Sequence, residues 1–435
     1  MKFLIATLSF LLLLGSSPVF SQDELMSHQL GAFQKLEHKD HLVRIYAGDN
    51  EEIQLSVFSP TIVRVRIAPA SLPEIPSYAV IRNATLDFSK IENNSSQIVL
   101  TTDSIKVVIQ KDPIRIDFYN NQGQWLDGDS PALGVSWQGT EVTSYRKLTD
   151  DEKFIGLGEK TGPLNKRELS YVNWNTDAPA YGINEDPLYS TMPFFMGIHS
   201  KSLFGIFFDN TYRSFFNFGG STDGKMYFFG APGGPMNYYF FGASTVTNLL
   251  KDYTWLTGRM EMPPMWSLGY QQSRYSYMSQ QQLLSVAKRM RQDSIPCDVM
   301  YCDIDYMHGY RIFTWNPKTF PDPIALTDSL KAINMHLVTI IDPGIKIDSD
   351  GYEPYLSGLI HHYFARYPDG EPYTGSVWAG RSHFPDFTRE EVRKWWGENF
   401  KALIDKGVTG FWNDMDEPSA WGQDIPPLIE FGEGK

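Results

Sequence analysis

A short apolar stretch that ends in carboxylates occupies residues 410–418, with the sequence Gly-Phe-Trp-Asn-Asp-Met-Asp-Glu-Pro. Two earlier stretches have the same form, because residues 297–305 end in Asp-Ile-Asp and residues 336–342 end in Ile-Asp. Apolar runs of this length, bounded by polar residues, predict buried strands. Helical patterns lie between them, at 279–291 and 325–334. This alternation of strands and helices predicts a parallel sheet or barrel.

The alternation begins after the proline pair Pro263-Pro264 and continues to the end of the sequence. A first strand is predicted near 267–272 and a last helix at 389–405, before the strand at 410–413. A (β/α)8 TIM barrel takes about 250 residues, and fewer than that follow the proline pair. Residues 256–435 are therefore predicted to form the first part of a (β/α)8 barrel that is incomplete.

The preceding part of the chain has the pattern of β-structure. Residues 53–57, 63–67 and 114–118 alternate apolar and polar side chains with a period of two, which predicts half-buried strands. Short strands at close intervals, separated by turn residues, are typical of a β-sandwich. Residues 22–255 are therefore predicted to form an N-terminal β-sandwich domain.

The first 21 residues have the features of a secretory signal peptide. Lys2 provides a positive charge, residues 3–14 are apolar, and Ser21 ends a stretch of small residues. The apolar part is shorter than the roughly 20 residues that span a bilayer. We therefore expect residues 1–21 to be removed, and the protein to be secreted or periplasmic without membrane insertion.

Charge and cysteine content exclude some functions. The net charge of −13 argues against nucleic acid as a partner, since phosphates are bound by basic surfaces. The two cysteines, Cys297 and Cys302, lie five residues apart in one predicted strand and face opposite sides, so buried thiols are expected rather than a disulfide. The nine histidines show no metal-ligand spacing. No metal and no cofactor are predicted, and the oligomeric state is left open.

The carboxylates that follow the predicted strands point to sugar chemistry. In a barrel they lie together at the C-terminal face, where such enzymes have their active sites. Cleavage of a glycosidic bond passes through a transition state that resembles an oxocarbenium ion, which carboxylates stabilise. Trp412 and other aromatic residues near these carboxylates provide flat surfaces on which a pyranose ring can lie.

Several motifs together resemble glycoside hydrolase family 31, a family of α-glucosidases. The segment Trp412–Ser419 is similar to the nucleophile motif of that family. Residues 156–162 and 174–177 resemble its N-terminal domain, and residues 303–307 and 340–343 follow in the family's order. The resemblance covers residues 150 to 422 and identifies the chain as the N-terminal portion of a member.

The resemblance implies a role for several residues. Asp414 is the expected catalytic nucleophile, Asp303 is expected to bind sugar hydroxyl groups, and Asp177 is expected to reach the site from an N-terminal loop. Glu417 is expected to support the nucleophile. The residues expected to line the substrate pocket are Tyr275, Ile340, Trp378, Trp412 and Met415.

Two features depart from the family pattern. Asp416 takes a place where relatives usually have Asn, and its charge either raises the pKa of Asp414 or points away from it. The acid/base Asp of the family belongs to a later strand and is absent from this chain, which ends at Lys435. We therefore expect a chain truncated after the nucleophile motif and inactive alone.

The expected activity is that of a retaining, exo-acting α-glucosidase with an oligosaccharide or α-glucoside substrate. An α-xylosidase is the nearest alternative within the family, because the width of the pocket near C6 of the sugar separates the two activities. A second alternative is a sugar-binding or vestigial fragment that does not cleave its ligand. Linkage and chain-length preference are left open by the sequence.

Overall fold

The computed structural model describes residues 28–48, 50–72, 76–421 and 425–432. They fold into two compact units. Unit 1 contains residues up to Trp174 and the segment Tyr181–Arg259, and unit 2 contains Asn175–Ala180 and the chain from Met260 onward. The predicted signal peptide, residues 1–21, lies outside the described residues.

Unit 1 consists almost entirely of β-strands. In chain order its elements are β1 (His28–Gln29), β2 (Phe33–Lys39), β3 (Leu42–Ala47), β4 (Glu51–Ser59), β5 (Ile62–Ala68), β6 (Lys90–Asn93), β7 (Gln97–Thr101), β8 (Ile105–Lys111), β9 (Ile114–Asn120), β10 (Trp125–Gly128), β11 (Val135–Gln138), β12 (Glu141–Lys147), β13 (Lys153–Gly158), β14 (Ser170–Asn173), β15 (Thr191–Ile198), β16 (Leu203–Phe208), β17 (Ser214–Asn217), β18 (Met226–Ala231), β19 (Met236–Ala243) and helix α1 (Val246–Thr257).

These strands form three antiparallel sheets, as the alternating sequence pattern predicted. Their strand orders are β1-β11-β12-β18-β17-β14, β10-β9-β8-β7-β6 and β13-β15-β16-β19-β5-β4-β3-β2. Successive side chains of a strand face opposite sides, so each sheet can turn an apolar face inward. Ile53, Ile109 and Phe229, one from each sheet, lie in the same buried core. The sheets therefore pack on a shared interior, which is the architecture of a sandwich domain.

A charged network is buried inside unit 1. The Arg146 side chain is fully buried, and its Nε donates to Oδ2 of Asp127 at 2.9 Å. Its Nη1 donates to Oδ1 of Asp129 at 2.9 Å, and the Tyr227 hydroxyl donates to Oδ1 of Asp127 at 2.9 Å. Buried charges are tolerated when they are paired and hydrogen-bonded. The negative charges of Asp127 and Asp129 are therefore compensated by the positive charge of Arg146.

Unit 1 ends just after its helix. Thr245 caps α1, because its side chain accepts a hydrogen bond from the backbone N–H of Asn248. The predicted domain boundary at residue 255 falls within this helix, and the compact unit continues to Arg259.

Unit 2 alternates strands and helices. Its elements are β20 (Gln271–Gln272), α2 (Gln280–Gln292), β21 (Val299–Cys302), α3 (Pro323–Lys331), β22 (His336–Ile341), β23 (Ile345–Lys346), α4 (Glu353–Ile360), β24 (Thr374–Val377), β25 (Gly380–His383), α5 (Glu390–Asn399), α6 (Lys401–Ile404) and β26 (Gly410–Asn413).

Four strands of unit 2 form a parallel sheet in the order β20-β21-β22-β26. Val299 pairs with His336, and Ile341 pairs with Asn413. This is the arrangement of neighbouring strands in a (β/α)8 barrel, and it confirms the predicted fold class. The predicted strand at 267–272 is mostly wrong, because Met265–Leu268 is a 3₁₀ turn and only Gln271–Gln272 pair with the sheet.

An additional antiparallel sheet, in the order β23-β25-β24, follows β22. Strands β24 and β25 form a hairpin in which Val377 pairs with Gly380. The two residues of its turn are therefore Trp378 and Ala379, and Gly380 has the positive φ of 95° that the tight reversal requires. The hairpin consequently presents Trp378 at its tip.

Cys297 and Cys302 are both buried and free, as predicted. Cys302 ends β21, whereas Cys297 precedes that strand, which is shorter than the sequence pattern indicated. None of the helices described is long and apolar enough to cross a lipid bilayer.

Candidate active site

Three carboxylates meet at the C-terminal edge of the parallel sheet in unit 2. Asp303 follows β21, Asp342 follows β22 and Asp414 follows β26. The backbone N–H of Asp414 donates to the carbonyl oxygen of Ile341 at 3.2 Å, so the pairing of β22 with β26 continues to this edge. Because parallel strands end at the same side of a sheet, the predicted nucleophile and two further carboxylates share one surface.

The Asp414 carboxylate is held by a strained turn. Its Oδ1 accepts a hydrogen bond from the backbone N–H of Met415 at 3.0 Å. Met415 has a φ of 62°, which is uncommon for a residue with a long side chain. Its side chain is buried in a cluster with Tyr373, Val377 and Phe384, and this packing maintains the turn. Backbone strain of this kind is concentrated at functional sites.

Asp303 is also oriented by the backbone. Its Oδ1 accepts from the N–H of Ile304 at 2.7 Å and caps the short 3₁₀ helix Ile304–Tyr306. Burial raises the pKa of Asp303, the hydrogen bond from Ile304 opposes this change, and the charges of Asp305 and Asp414 add to it. The charge of Asp414 therefore acts directly on the residue that is expected to bind sugar hydroxyls.

Asp342 is the most perturbed member of this group. It is only 7% exposed, and burial raises its pKa to about 7, with further contributions from the charges of Asp414, Asp416 and Asp303. Asp416 itself is exposed. Its charge nevertheless acts on Asp342, so Asp416 is not remote from the carboxylate group.

Asp177 joins the same site from a distant part of the sequence. The segment Asn175–Ala180 belongs to unit 2, although the chain on both sides of it belongs to unit 1. The buried Ser419 donates its hydroxyl to Oδ2 of Asp177 at 2.6 Å. Burial raises the pKa of Glu417, and the charges of Asp177 and Asp414 contribute to that change. The structure thus places Asp177, Glu417 and Asp414 together.

Exposed aromatic rings lie near one another on unit 2. Tyr275 is 61% exposed and Trp378 is 47% exposed, and their ring centroids are 6.1 Å apart. Trp421 packs edge-on against Trp378, with centroids 4.4 Å apart and planes at 80°. Large exposed rings that are grouped in this way are unusual on a protein surface and indicate a binding site.

The remaining predicted pocket residues are more enclosed. Ile340 and Met415 are buried in two different hydrophobic clusters. Trp412 is half-buried beside Ile340 in the sheet and meets Tyr301 edge-on, with ring centroids 6.1 Å apart. Ile340 also accepts, through its carbonyl oxygen, a hydrogen bond from the Tyr306 hydroxyl at 3.0 Å. Their contact with a sugar stays a prediction.

Sequence reasoning counted Asp342 among the carboxylates at strand ends without giving it an individual role, and it assigned no role to Ser419 or Trp421. Asp342 had a signal, because it follows a predicted strand as Asp303 does. Ser419 had none, since its partner Asp177 is 242 residues away in the sequence. Within residues 28–48, 50–72, 76–421 and 425–432, no group of three or more His, Cys, Asp or Glu side chains could hold a metal ion.

Comparison with known proteins gives relatives for nearly the whole chain. It is 39% identical over 397 residues to alpha-glucosidase 2 of Bacillus thermoamyloliquefaciens, which covers 91% of this chain and 50% of the relative. It is 36% identical over 293 residues to an alpha-glucosidase of Saccharolobus solfataricus, and this match covers 67% of the chain and 42% of the relative. The chain thus spans about half the length of these curated relatives.

A solved structure has the same fold. The family 31 dextranase of Flavobacterium johnsoniae, complexed with glucose, superposes with a TM-score of 0.87 at 30% identity. The match covers 94% of this chain and 50% of the dextranase. The family model described as the glycosyl hydrolase 31 N-terminal galactose mutarotase-like domain matches residues 52–217, and the glycosyl hydrolases family 31 TIM-barrel domain matches residues 260–430. The chain therefore belongs to glycosyl hydrolase family 31.

Proposed function

We propose that the protein that carries this chain is a retaining α-glucosidase, which removes α-glucosyl residues from the non-reducing ends of its substrates. The observation that carries this proposal is Asp414, a carboxylate fixed by the Met415 N–H at the edge where Asp303 and Asp342 also lie. A nucleophile needs such a fixed orientation, because attack requires a defined approach to the reacting carbon. The α-glucosidase names of the relatives support the same activity.

In the proposed reaction, Asp414 attacks the anomeric carbon as the bond to the leaving oxygen breaks. A covalent glycosyl-enzyme forms, and water later hydrolyses it. Asp303 binds hydroxyl groups of the sugar, and its negative charge stabilises the positive charge that develops on the ring. Tyr275 and Trp378 provide the aromatic wall of the pocket, Trp412 and Met415 complete its floor, and Asp177 closes it from the side of Ser419.

A retaining mechanism also requires an acid/base carboxyl group about 5–5.5 Å from the nucleophile. We assign this role to none of the residues that the structure describes. We expect the 435-residue chain alone to give no turnover of an unactivated α-glucoside, and enzyme-like hydrolysis that Asp414→Ala abolishes would contradict this expectation. We also propose, from the sequence of residues 1–21, that the protein is secreted or periplasmic.

The identity of the nucleophile can be tested with a fluorinated α-glucoside that forms a slowly hydrolysed glycosyl-enzyme. Peptide mass spectrometry of the protein that carries this chain should find the label on Asp414. Asp414→Asn should remove both the label and activity, a loss of at least about 10³-fold for a residue that forms the covalent bond. Asp350→Asn, an exposed carboxylate in a turn, is the control and should be labelled normally. A label on any other residue would refute the assignment.

Substrate choice is tested by direct competition. The protein should cleave 4-nitrophenyl α-glucoside with a higher kcat/KM than 4-nitrophenyl α-xyloside, and the opposite ratio would favour the α-xylosidase alternative. Maltose, isomaltose and isomaltotriose should be compared in the same experiment, because one structural relative is a dextranase whose mutant was crystallised with isomaltotriose. A protein that binds these sugars without cleaving any of them would favour the non-catalytic alternative.

A further inference from the structure

Asp342 is a buried carboxyl group at the C-terminal edge of the parallel sheet. It is 7% exposed, and its Oδ1 is buried and has no hydrogen-bond partner among the described residues. Leaving a buried polar atom unpaired destabilises the folded protein, and more strongly if the group is charged. Proteins retain such groups mainly where they have a function. Sequence and comparison give this residue no individual function.

The position of Asp342 in the sheet places it beside the nucleophile. Ile341 pairs with Asn413, and the N–H of Asp414 donates to the Ile341 carbonyl oxygen at 3.2 Å. Asp342 and Asp414 are therefore the next residues on two adjacent parallel strands, whose backbones lie about 4.8 Å apart. No other strand lies between them in the sheet order.

We propose that Asp342 is a positioning residue for Asp414: its neutral carboxyl group donates a hydrogen bond towards the Asp414 carboxylate and holds it for attack on the anomeric carbon. This inference rests on the proposed function, since it assigns a partner to the nucleophile of that reaction. The Met415 N–H occupies one oxygen of Asp414, and the Asp342 carboxyl group, at the end of the adjacent strand, can supply a second contact.

The surroundings of Asp342 favour the neutral form. The charges that act on it are those of Asp303, at the end of β21, and of Asp414 and Asp416, at the end of β26. Among the described residues, no cation contributes to the electrostatic field at Asp342. Tyr306, which also faces it, uses its hydroxyl on the Ile340 carbonyl oxygen. Burial and these carboxylates raise the pKa of Asp342 to about 7, so below that pH it keeps the proton that the hydrogen bond needs.

The proposal is tested by the rate at which Asp414 is labelled. The probe is 5-fluoro-α-D-glucosyl fluoride, applied to the protein that carries this chain. The bond from Asp414 to C1 forms as the C1–F bond breaks, and fluoride leaves with the electron pair. No proton has to be supplied to this leaving group, so the acid/base residue does not limit the labelling rate. Intact-mass measurements follow the labelling from pH 4.5 to pH 9.

Two substitutions distinguish the effect of the hydrogen-bond donor from the effect of side-chain volume. Asp342→Asn keeps an N–H donor at every pH, so its labelling rate at pH 5.5 should stay within about threefold of the wild type. The wild-type rate should fall above pH 7 as Asp342 ionises, and the Asp342→Asn rate should not. Asp342→Leu keeps the volume without a donor and should label about tenfold more slowly at pH 5.5, the loss of one hydrogen bond to a charged group.

A readout independent of activity accompanies the kinetics. The infrared difference spectrum between the wild type and Asp342→Asn at pH 5.5 should contain the carbonyl stretch of one protonated carboxylic acid. The proposal is overturned if this band is absent, if the two proteins share one pH profile, or if Asp342→Leu labels as fast as the wild type. A normal rate of Asp342→Asn on the fluoride, with a selective loss on methyl α-glucoside, would make Asp342 the acid/base instead and would also overturn it.

The same experiment separates failure of the inference from failure of the proposed function. If the wild type is never labelled on Asp414, the proposed nucleophile is wrong and the positioning role is lost with it. If Asp414 is labelled but Asp342 substitutions leave its rate and pH profile unchanged, only the positioning role is refuted.

Discussion

At the scale of single residues, the buried Asp342 carboxyl group makes the folded protein less stable as pH rises. Its pKa is raised from 3.8 to about 7, so the folded state holds its proton more tightly than the unfolded chain does. The resulting penalty is absent below the ordinary pKa, grows between pH 4 and pH 7, and is constant above pH 7. The raised pKa corresponds to a penalty of at most about 4 kcal/mol.

This penalty predicts an active-site substitution that stabilises the protein. Asp342→Asn cannot ionise, so it should raise the melting temperature at pH 8 and leave it nearly unchanged at pH 4. Scanning calorimetry of the two proteins at both pH values measures the difference. Asp350→Asn, at an exposed position, should show no such dependence on pH. Equal stabilisation by Asp342→Asn at pH 4 and pH 8 would show that ionisation of Asp342 does not cause the loss of stability.

At the scale of elements, the binding role proposed for the β24–β25 hairpin can be tested separately from folding. Trp378 occupies its turn and is 47% exposed, so replacing it should disturb the fold less than replacing an aromatic residue of the core would. We predict that Trp378→Ala raises KM for an α-glucoside up to about tenfold, the value of one aromatic contact, with a smaller change in kcat. Trp378→Phe keeps a ring and should recover most of the affinity. If KM is unchanged in Trp378→Ala, the Trp378 ring does not line the substrate pocket.

The buried network formed by β10, Asp129 and β12 predicts a large loss of stability in unit 1 when its cation is removed. Arg146→Met leaves Asp127 and Asp129 buried without their cation, which should cost about 3–5 kcal/mol. Lys90→Met is the control, since Lys90 and Glu92 form an exposed pair worth about 0–1 kcal/mol. Hydrogen exchange of unit 1 peptides at increasing urea concentration measures the loss of unfolding free energy in each variant. A similar small loss in both variants would mean that the network is not compensating buried charge.

Elements differed in how well the sequence predicted them, and the reasons are physical. Strands β22 and β26 agree with the prediction at both ends, because apolar runs are bounded there by polar residues. The helix predicted at 389–405 is divided at Phe400 into α5 and α6, and the sequence pattern does not mark the division because Phe400 keeps helical dihedral angles. The sheet β23-β25-β24 was not predicted, because its strands have two to four residues and β24 and β25 each contain Gly and Ser in place of an apolar alternation.

At the scale of the whole molecule, the candidate site joins segments that are distant in sequence. Residue types at strand ends predicted Asp303 and Asp414, since one rule of barrel topology brings strand ends together. The hydrogen bond between Ser419 and Asp177 obeys no local pattern, so only the family resemblance indicated that Asp177 reaches the site. The orphaned oxygen of Asp342 could not be predicted either, because burial of single atoms depends on packing from several elements.

That long-range hydrogen bond gives a further prediction. Ser419→Ala removes the donor that holds Asp177, so kcat/KM for an α-glucoside should fall about three- to tenfold, the value of one hydrogen bond. Ser329→Ala removes a hydroxyl that bonds only within helix α3 and should leave kcat/KM unchanged. Restoration of activity by Ser419→Thr would support the role of the hydroxyl, and full activity of Ser419→Ala would contradict it.

The membership of Asn175–Ala180 in unit 2 has a consequence for protein engineering. A chimera made by joining the β-rich half of one relative to the barrel of another at residue 259 would import a foreign residue 177 together with the new half. Such an exchange would alter the candidate active site even though every barrel residue after the junction was kept. Recombination between members of this family should therefore preserve function only when the six-residue segment is matched to the barrel that receives it.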